Sequence, residues 1–400
     1  MPSAGKNGTG LTPNTFLLAL SSLFADVSTE MLYPVLPIFL TQTLGASGSV
    51  LGLIEGVAQA VQNITQGLSG WLSDRLRRRK PIALIGYGMA ALSKPFIGLA
   101  SSWTGVLVAR SLDRFGTGTR SAPRDALIAA SVGEKHRGKA FGLEGFGDNL
   151  GAFLGPLIAM ALLVLWHVEL RTIFLLAFLP ALLAGLMVVF VKETRVPAAG
   201  GLHPDLKPRR FTRSYWSYLT AVGLFGVGNI SNAFLILRTR DLGASLTTTI
   251  LIYAMFNLVA ALASYPAGYL SDRLGRKGVL LAAFTIVAAV YAGFAVTRNV
   301  VITGVLFALF GVFQGAFRTL GKAIATDCVP EELQASAVGW YTATIGLTGI
   351  VAGVAGGQLW TRVCPAATFV LGAACAAAGS LALMLLVPSD RRGDVASGGR

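Results

Sequence analysis

The sequence predicts an all-α membrane protein whose twelve transmembrane helices form two pseudo-symmetric six-helix bundles. Three observations lead there. Hydrophobic residues fill 54% of the 400 positions and charged residues only 13%, which leaves too little polar surface for a water-soluble chain and makes a bilayer the implied solvent. Apolar runs of about twenty residues recur, each long enough to cross a hydrocarbon core of roughly 30 Å as a helix. Short sequence segments also repeat at a fixed displacement of about half the chain, the signature of a duplicated unit.

The predicted spans are 15–40, 48–72, 81–100, 104–128, 139–165, 171–191, 215–237, 246–270, 278–297, 300–326, 337–360 and 366–388. They divide the chain into a cytoplasmic N-terminus (1–14), a first half (15–191), a linker (192–214), a second half (215–388) and a cytoplasmic tail (389–400). The first span keeps Asp26 and Glu30 and is followed by no small-residue cleavage site, so it is expected to remain as a span rather than leave as a signal peptide. The linker carries Pro197, Gly200 and Gly201 before the basic run at Lys207, Arg209 and Arg210, a composition suited to a flexible connection.

The formal charge of +14 is explained by its placement and needs no nucleic-acid partner. Of the 33 Lys and Arg residues, 21 fall on the predicted inner segments and 5 (Arg171, Arg238, Arg240, Arg298, Arg362) on outer loops. By the positive-inside rule both termini are expected in the cytoplasm, in a plasma or inner membrane. Cys328, Cys364 and Cys375 form no CxxC pair and are expected as buried thiols, with no disulfide framework or zinc site.

The repeat is visible in the letters. Leu44-Gly45-Ala46-Ser47 recurs as Leu242-Gly243-Ala244-Ser245, and Ser73-Asp74-Arg75-Leu76 as Ser271-Asp272-Arg273-Leu274, both displaced by 198 positions. The stretch Gly268-Tyr269-Leu270-Ser271-Asp272-Arg273-Leu274-Gly275-Arg276-Lys277 resembles the G-x-L-A-D-R-x-G-R-K loop signature of the major facilitator superfamily. Its first copy runs from Gly70 through Asp74, Arg75 and Arg78, with Arg77 where the family has glycine. That resemblance implies two bundles that rock about a solute site near the midplane, with a small molecule or ion as substrate and the protein working as a monomer. It also implies a gating role for Gly70, Asp74, Arg75, Arg78, Gly268, Asp272, Arg273 and Arg276.

Ionisable residues inside spans are costly and normally face a cavity or each other. Asp26, Glu30, Tyr33 and Pro37 share one face of the first span by spacing. Glu55, Gln59, Gln62, Asn63 and Gln66 form a polar stripe on the second, Lys94 lies in the third, Arg110, Asp113 and Arg114 in the fourth, and Glu144 and Asp148 in the fifth. The second half offers Asn229 and Asn232, then Tyr253 and Asn257, then Gln314, Arg318 and Lys322 at intervals of four. Coupling protons are expected on Asp26 or Glu30, in contact with Arg110 and Arg114. The first half would then handle the ion, while the second contributes more of the neutral substrate surface.

Gly147, Gly151, Gly155 and Pro156 put glycine at every fourth position of the fifth span, which permits close helix packing. The run resembles a glycine-proline signature of antiporter branches, although Ala159 and Met160 stand where a glycine pair is common. With the Ala122-Pro123-Arg124-Asp125 stretch of the fourth span, the resemblance favours proton-coupled efflux. Proton-coupled uptake, metal or cation export, and a receptor on the same scaffold stay open as alternatives.

No cofactor is expected. Gly116-x-Gly118-x-x-Ser121 lacks both a final glycine and a βαβ setting, and Gly315 to Gly321-Lys322-Ala323 is one residue too long for a phosphate loop. His136, His167 and His203 are not paired at ligand spacing. No nucleophile, base and orienting group come together, so enzyme chemistry is not expected.

Overall fold

The computed structural model describes residues 11–76, 78–133, 136–193, 210–330 and 333–387, with the side chains of Asp74, Asp272 and Ala335 left out. Among the described residues the regular structure is helical. Twelve passes are seen: α1 (Pro13–Thr43), α2 (Gly48–Leu76), α3 (Arg79–Leu99), α4 (Trp103–Ala130), α5 (Arg137–Leu165), α6 (Leu170–Phe190), α7 (Arg213–Asp241), α8 (Leu246–Leu274), α9 (Arg276–Val296), α10 (Val300–Asp327), α11 (Gln334–Arg362) and α12 (Pro365–Leu386). Ten of them are both long and apolar enough to cross a membrane. The other two, α2 and α4, have the length but carry the polar stripes of the first half, which lowers their mean hydropathy. Arg238 and Arg240, expected in a loop, lie instead in the last turn of α7.

Helices α1–α6 pack into one bundle and α7–α12 into another, and the two meet chiefly through α2 against α11 and α5 against α8. The duplication extends to individual contacts. Arg79 Nη1 donates to the Ala126 carbonyl (3.3 Å) and Arg276 Nη1 to the Ala323 carbonyl (3.0 Å), each tying the third helix of its half to the fourth. Lys80 Nζ reaches the Val189 carbonyl (2.7 Å) and Lys277 Nζ the Val387 carbonyl (2.5 Å), tying the third helix to the sixth. The repeated Leu-Gly-Ala-Ser turns use Gly45 and Gly243 at φ +64° and +88°, the left-handed region that glycine enters without steric cost.

Both first helices are broken at matching places. α1 stops at Leu32, turns through Tyr33, Pro34 and Val35, and resumes as a short segment ending in a π turn over Phe39–Thr43. α7 stops at Val227 and resumes at Asn232. Because of the break, Pro37 is buried in the apolar core while Asp26, Glu30 and Tyr33 remain half-buried; the shared face ends at Tyr33.

The interface between halves is closed at one end. A Cβ built on Gly52 would collide with the Gly353 carbonyl oxygen, and one on Gly353 with that of Gly52; one on Gly357 would collide with the Gly48 carbonyl oxygen, and Gly56 is close-packed at 3.1 Å. Ser49 Oγ donates to the Gly357 carbonyl (3.1 Å) and the Ser49 amide to Thr361 Oγ1 (2.9 Å). Farther along the same two helices, a Cβ on Gly67 or Gly339 would meet nothing, and Trp71 of α2 and, on the neighbouring α8, Tyr265 and Tyr269 are exposed. The crevice between halves therefore opens toward the end that carries the α2–α3 and α8–α9 turns.

Backbone contact at Gly52 and Gly353 leads to the first prediction. Gly353→Leu is expected to prevent the closed end from forming. In a background with the three native cysteines replaced by serine, a Ser49→Cys/Thr361→Cys pair should crosslink readily and lose most of that crosslinking when Gly353→Leu is added. Undiminished crosslinking would show that the glycine contact does not set the closure.

Candidate functional site in the crevice

The site grows from one carboxylate. Asp113 on α4 is 0% exposed and accepts from Lys94 Nζ of α3 at 2.7 Å, from Arg110 Nη1 one turn earlier at 3.0 Å and from Ser93 Oγ at 3.4 Å. Arg110, 1% exposed, also places Nε 3.3 Å from Glu55 of α2. Glycines permit this concentration of charge by bringing the helix backbones together. A Cβ on Gly116 would press on α3 at Gly86 and Ala90, and one on Gly118 on α2 at Gln62 and Thr65. The glycines that resembled a nucleotide fingerprint are thus packing surfaces.

From Glu55 the network crosses to the other half. Its Oε2 accepts from Tyr33 at 3.3 Å and from Ser231, at the break in α7, at 3.3 Å. Tyr33 lies under the guanidinium groups of Arg110 and Arg114, with 5.4 and 5.9 Å to its ring centre, and stacks on Tyr253 of α8 at 5.6 Å and an interplanar angle of 2°. The Tyr253 hydroxyl donates to Glu30 Oε2 at 2.8 Å, and Asn257 Nδ2 approaches the same oxygen at 3.3 Å. Asn257 also donates to the Ala152 carbonyl of α5 at 3.1 Å. That acceptor is free because Pro156, four residues on, has no N–H to offer it; the proline thereby opens a bond between halves besides loosening its helix.

Asp26 stands beside Asp148 and near Glu30, with Arg120 in electrostatic range. Arg318 of α10 comes within 3.9 Å of Asp148 while remaining 62% exposed to the crevice. The expected pairing of Asp26 and Glu30 with Arg110 and Arg114 is not made. Arg110 is taken by Glu55 and Asp113, and Arg114 donates to Gln62 Oε1 at 3.1 Å, because helical spacing keeps both arginines beside Asp113 on α4. Asn229 accepts from Tyr291 (3.3 Å) inside the second half. Asn232 and Gln314 are half-buried, and Lys322 is exposed on the face of Arg318.

Gly147, Gly151 and Gly155 seat α5 on α1, where a Cβ at each would collide with the carbonyl oxygens of Ala19, Leu23 and Val27. The described loop residues act within their own halves. Arg75 stacks on Trp71 (5.2 Å), Arg273 on Tyr269 (4.4 Å), and Arg276 pairs with Asp327 (2.6 Å). Arg78 is exposed. A Cβ on Gly70 would lie 3.2 Å from Ala122 Cβ and one on Gly268 3.6 Å from Thr319, so only Gly70 is closely packed. The side chains of Asp74 and Asp272 lie outside the described residues, as does Arg77 opposite the left-handed Gly275 (φ +87°). The cysteines are free thiols, Cys364 exposed and the others half-buried, which corrects the expectation of full burial.

Sequence reasoning did not single out Ser231 or the aromatic bridge from Tyr33 to Tyr253. The available signal was the pair of interruptions, Pro34 in the first span and Gly228 in the seventh, at corresponding places of the two halves; paired broken helices mark transporter sites.

Comparison with known proteins agrees with this architecture. A profile of the Major Facilitator Superfamily matches residues 18–237 and 217–400, and the chain belongs to that superfamily. It is 32% identical over 387 residues to an uncharacterized MFS-type transporter of Methanocaldococcus jannaschii, covering 95% of this chain and 96% of the relative. It is 27% identical over 316 residues to the multidrug resistance protein MdtG of Klebsiella pneumoniae, covering 74% of each. The crystal structure of the nucleoside transporter NupG superposes with a TM-score of 0.76 at 14% identity, over 93% of this chain and 98% of that one. The chain is therefore a multi-pass membrane transporter for a small molecule, and not an enzyme.

Removing Asp113 leaves Lys94 and Arg110 buried with too little opposing charge. Breaking a buried pair from one side costs about 3–5 kcal/mol, so Asp113→Asn is expected to lower the unfolding temperature of the purified protein well beyond Glu55→Gln, whose partner Arg110 keeps Asp113. Equal unfolding temperatures for Asp113→Asn and wild type would show that the network does not hold the first half together.

Proposed function

We propose that the protein is a proton-coupled exporter working by antiport, with Glu30 and Asp26 as the proton-carrying groups. The observation that carries this reading is the placement of Glu30: a carboxylate of the first half whose hydrogen-bond donors, Tyr253 and Asn257, belong to the second. A proton on Glu30 removes the charge that strengthens those bonds, so its protonation state and the contact between halves are linked. Asp26, Asp148 and Glu30 lie together, and like charges so placed repel until one takes a proton. The crevice opens at the end that the basic residues assign to the cytoplasm, which makes this the arrangement that loads a cytoplasmic solute. Seating of α1, the carboxylate-bearing helix, on the glycine face of α5 favours antiport by its resemblance to that branch, and one relative is named for multidrug resistance.

Glu30→Gln and Asp26→Asn are expected to give folded transporters that exchange solute across proteoliposomes but no longer concentrate it in response to an imposed pH difference. Full pH-driven accumulation in the double mutant would overturn the assignment. Orientation is tested separately: reporters fused after Lys80, Arg210 and Lys277 should report cytoplasm, and those at Ala46 and Ala244 the opposite side. A cytoplasmic signal at Ala46 would reverse the proposed direction of loading.

A further inference from the structure

A second cluster of buried polar atoms lies inside the first half, away from the crevice. Gly86 of α3 and Gly116 of α4 interlock so closely that a Cβ on Gly86 would collide with the Gly116 carbonyl and with Arg120. This close approach carries the Arg120 side chain into the bundle, where it is 5% exposed and its guanidinium lies 4.6 Å from the Tyr87 ring centre. Arg120 Nε, Arg120 Nη1 and the Tyr87 hydroxyl are all buried without a hydrogen-bond partner. Among the described residues Arg120 forms no ion pair within 4.0 Å; Asp26 acts on it only through space. Orphaned buried donors are uncommon, and each leaves a desolvation cost uncompensated.

The side chains that carry these atoms line a cavity. It is lined by Ser28, Thr29, Tyr87, Lys94 and Arg120 together with alanines of α1, α3 and α6, and has room for about one water-sized particle; the Ser28 hydroxyl is already committed to the Ala177 carbonyl (2.7 Å). The polar lining is rich in donors, with two cationic side chains, of which Lys94 alone has a paired carboxylate. A water molecule there would meet the donors but leave Arg120 with no directly bonded anion, Asp26 acting on it only through space. A small anion would accept from the same atoms and offset the charge as well. The size excludes sulfate, phosphate and organic acids.

We propose that this cavity is a binding site for one monoatomic anion of the halide class, held by Arg120 Nε and Nη1 and the Tyr87 hydroxyl, with Lys94 adding positive charge. The site lies apart from the solute crevice, although Lys94 also pairs with Asp113 and Arg120 is in electrostatic range of Asp26. Its occupant supplies the acceptor that these buried donors lack.

The test uses the full-length protein purified in detergent without halide. Unfolding temperature is measured during titration with sodium bromide against sodium gluconate of equal ionic strength. Bromide is expected to raise it in a saturable manner where gluconate does not, and crystals grown in bromide should show an anomalous peak between Arg120 and Tyr87. Tyr87→Phe keeps the ring and removes one donor, and is expected to weaken the bromide response about tenfold, the scale of one hydrogen bond to a charged partner. Arg120→Gln should abolish it. Identical curves in bromide and gluconate, an unchanged response in Tyr87→Phe, or a peak at the site that is water only would each overturn the proposal; should Arg120→Gln fail to fold, the Tyr87→Phe titration still decides.

Discussion

Burial of Asp113 is the constraint on which the first half is built. A carboxylate with no exposure needs charge around it, and Lys94 of α3 and Arg110, one turn earlier on α4 itself, supply it. Neither cation could be buried there alone, since the effective penalty for an isolated ion is several kcal/mol. Two cations on one carboxylate leave a positive excess, and Glu55 takes it up from α2. Three helices are thereby held at one spacing, and the glycines at 86, 116 and 118 make that spacing sterically possible. The contacts to the second half depend on this arrangement, because Glu55 meets Ser231 only from the position that Arg110 gives it.

The second half solves the same packing problem with aromatic rings. Phe225 stacks on Phe284 at 4.3 Å, and Phe313 and Phe317 close around it. Offset and tilted ring pairs of this kind add to area burial without any charge to compensate. The backbone ties are nevertheless duplicated, with Arg79 and Lys80 in one half matching Arg276 and Lys277 in the other. One framework therefore carries two cores of opposite character. Charge is concentrated in the first, and the second presents the neutral donors Ser231, Tyr253 and Asn257 to it.

Broken helices bring the two together. Where α1 turns at Pro34 and α7 at Gly228, side chains at the breaks reach across the interface: Tyr33, at the end of the first segment, to Tyr253, and Ser231 to Glu55. Pro156 works by a related route, since the missing amide leaves the Ala152 carbonyl for Asn257. In a low-dielectric setting each such backbone group must find a partner, and here several partners come from the opposite half. Among the described residues the polar and aromatic contacts that cross beside the glycine seam are a few hydrogen bonds, the Arg318–Asp148 approach and one ring stack, a number small enough to be exchanged when the halves move.

The sequence alone determined the membrane setting, the twelve passes, their approximate ends and the duplication, because hydrocarbon thickness dictates span length and a duplicated gene keeps its spacing. It also singled out nearly every charged residue of the network, since charge within an apolar run has no other explanation than a partner or a cavity. Which partner was decided only by tertiary structure. Asp26 and Glu30 lie one turn apart on α1, and Arg110 and Arg114 one turn apart on α4, so spacing made their pairing plausible. The rotation of α4 against α2 and α3, set by glycine contacts invisible in a linear pattern, gave Arg110 to Glu55 and Lys94 to Asp113. The partners of Glu30 come from residues more than 220 positions away, and only the docking of one folded half on the other brings them within reach.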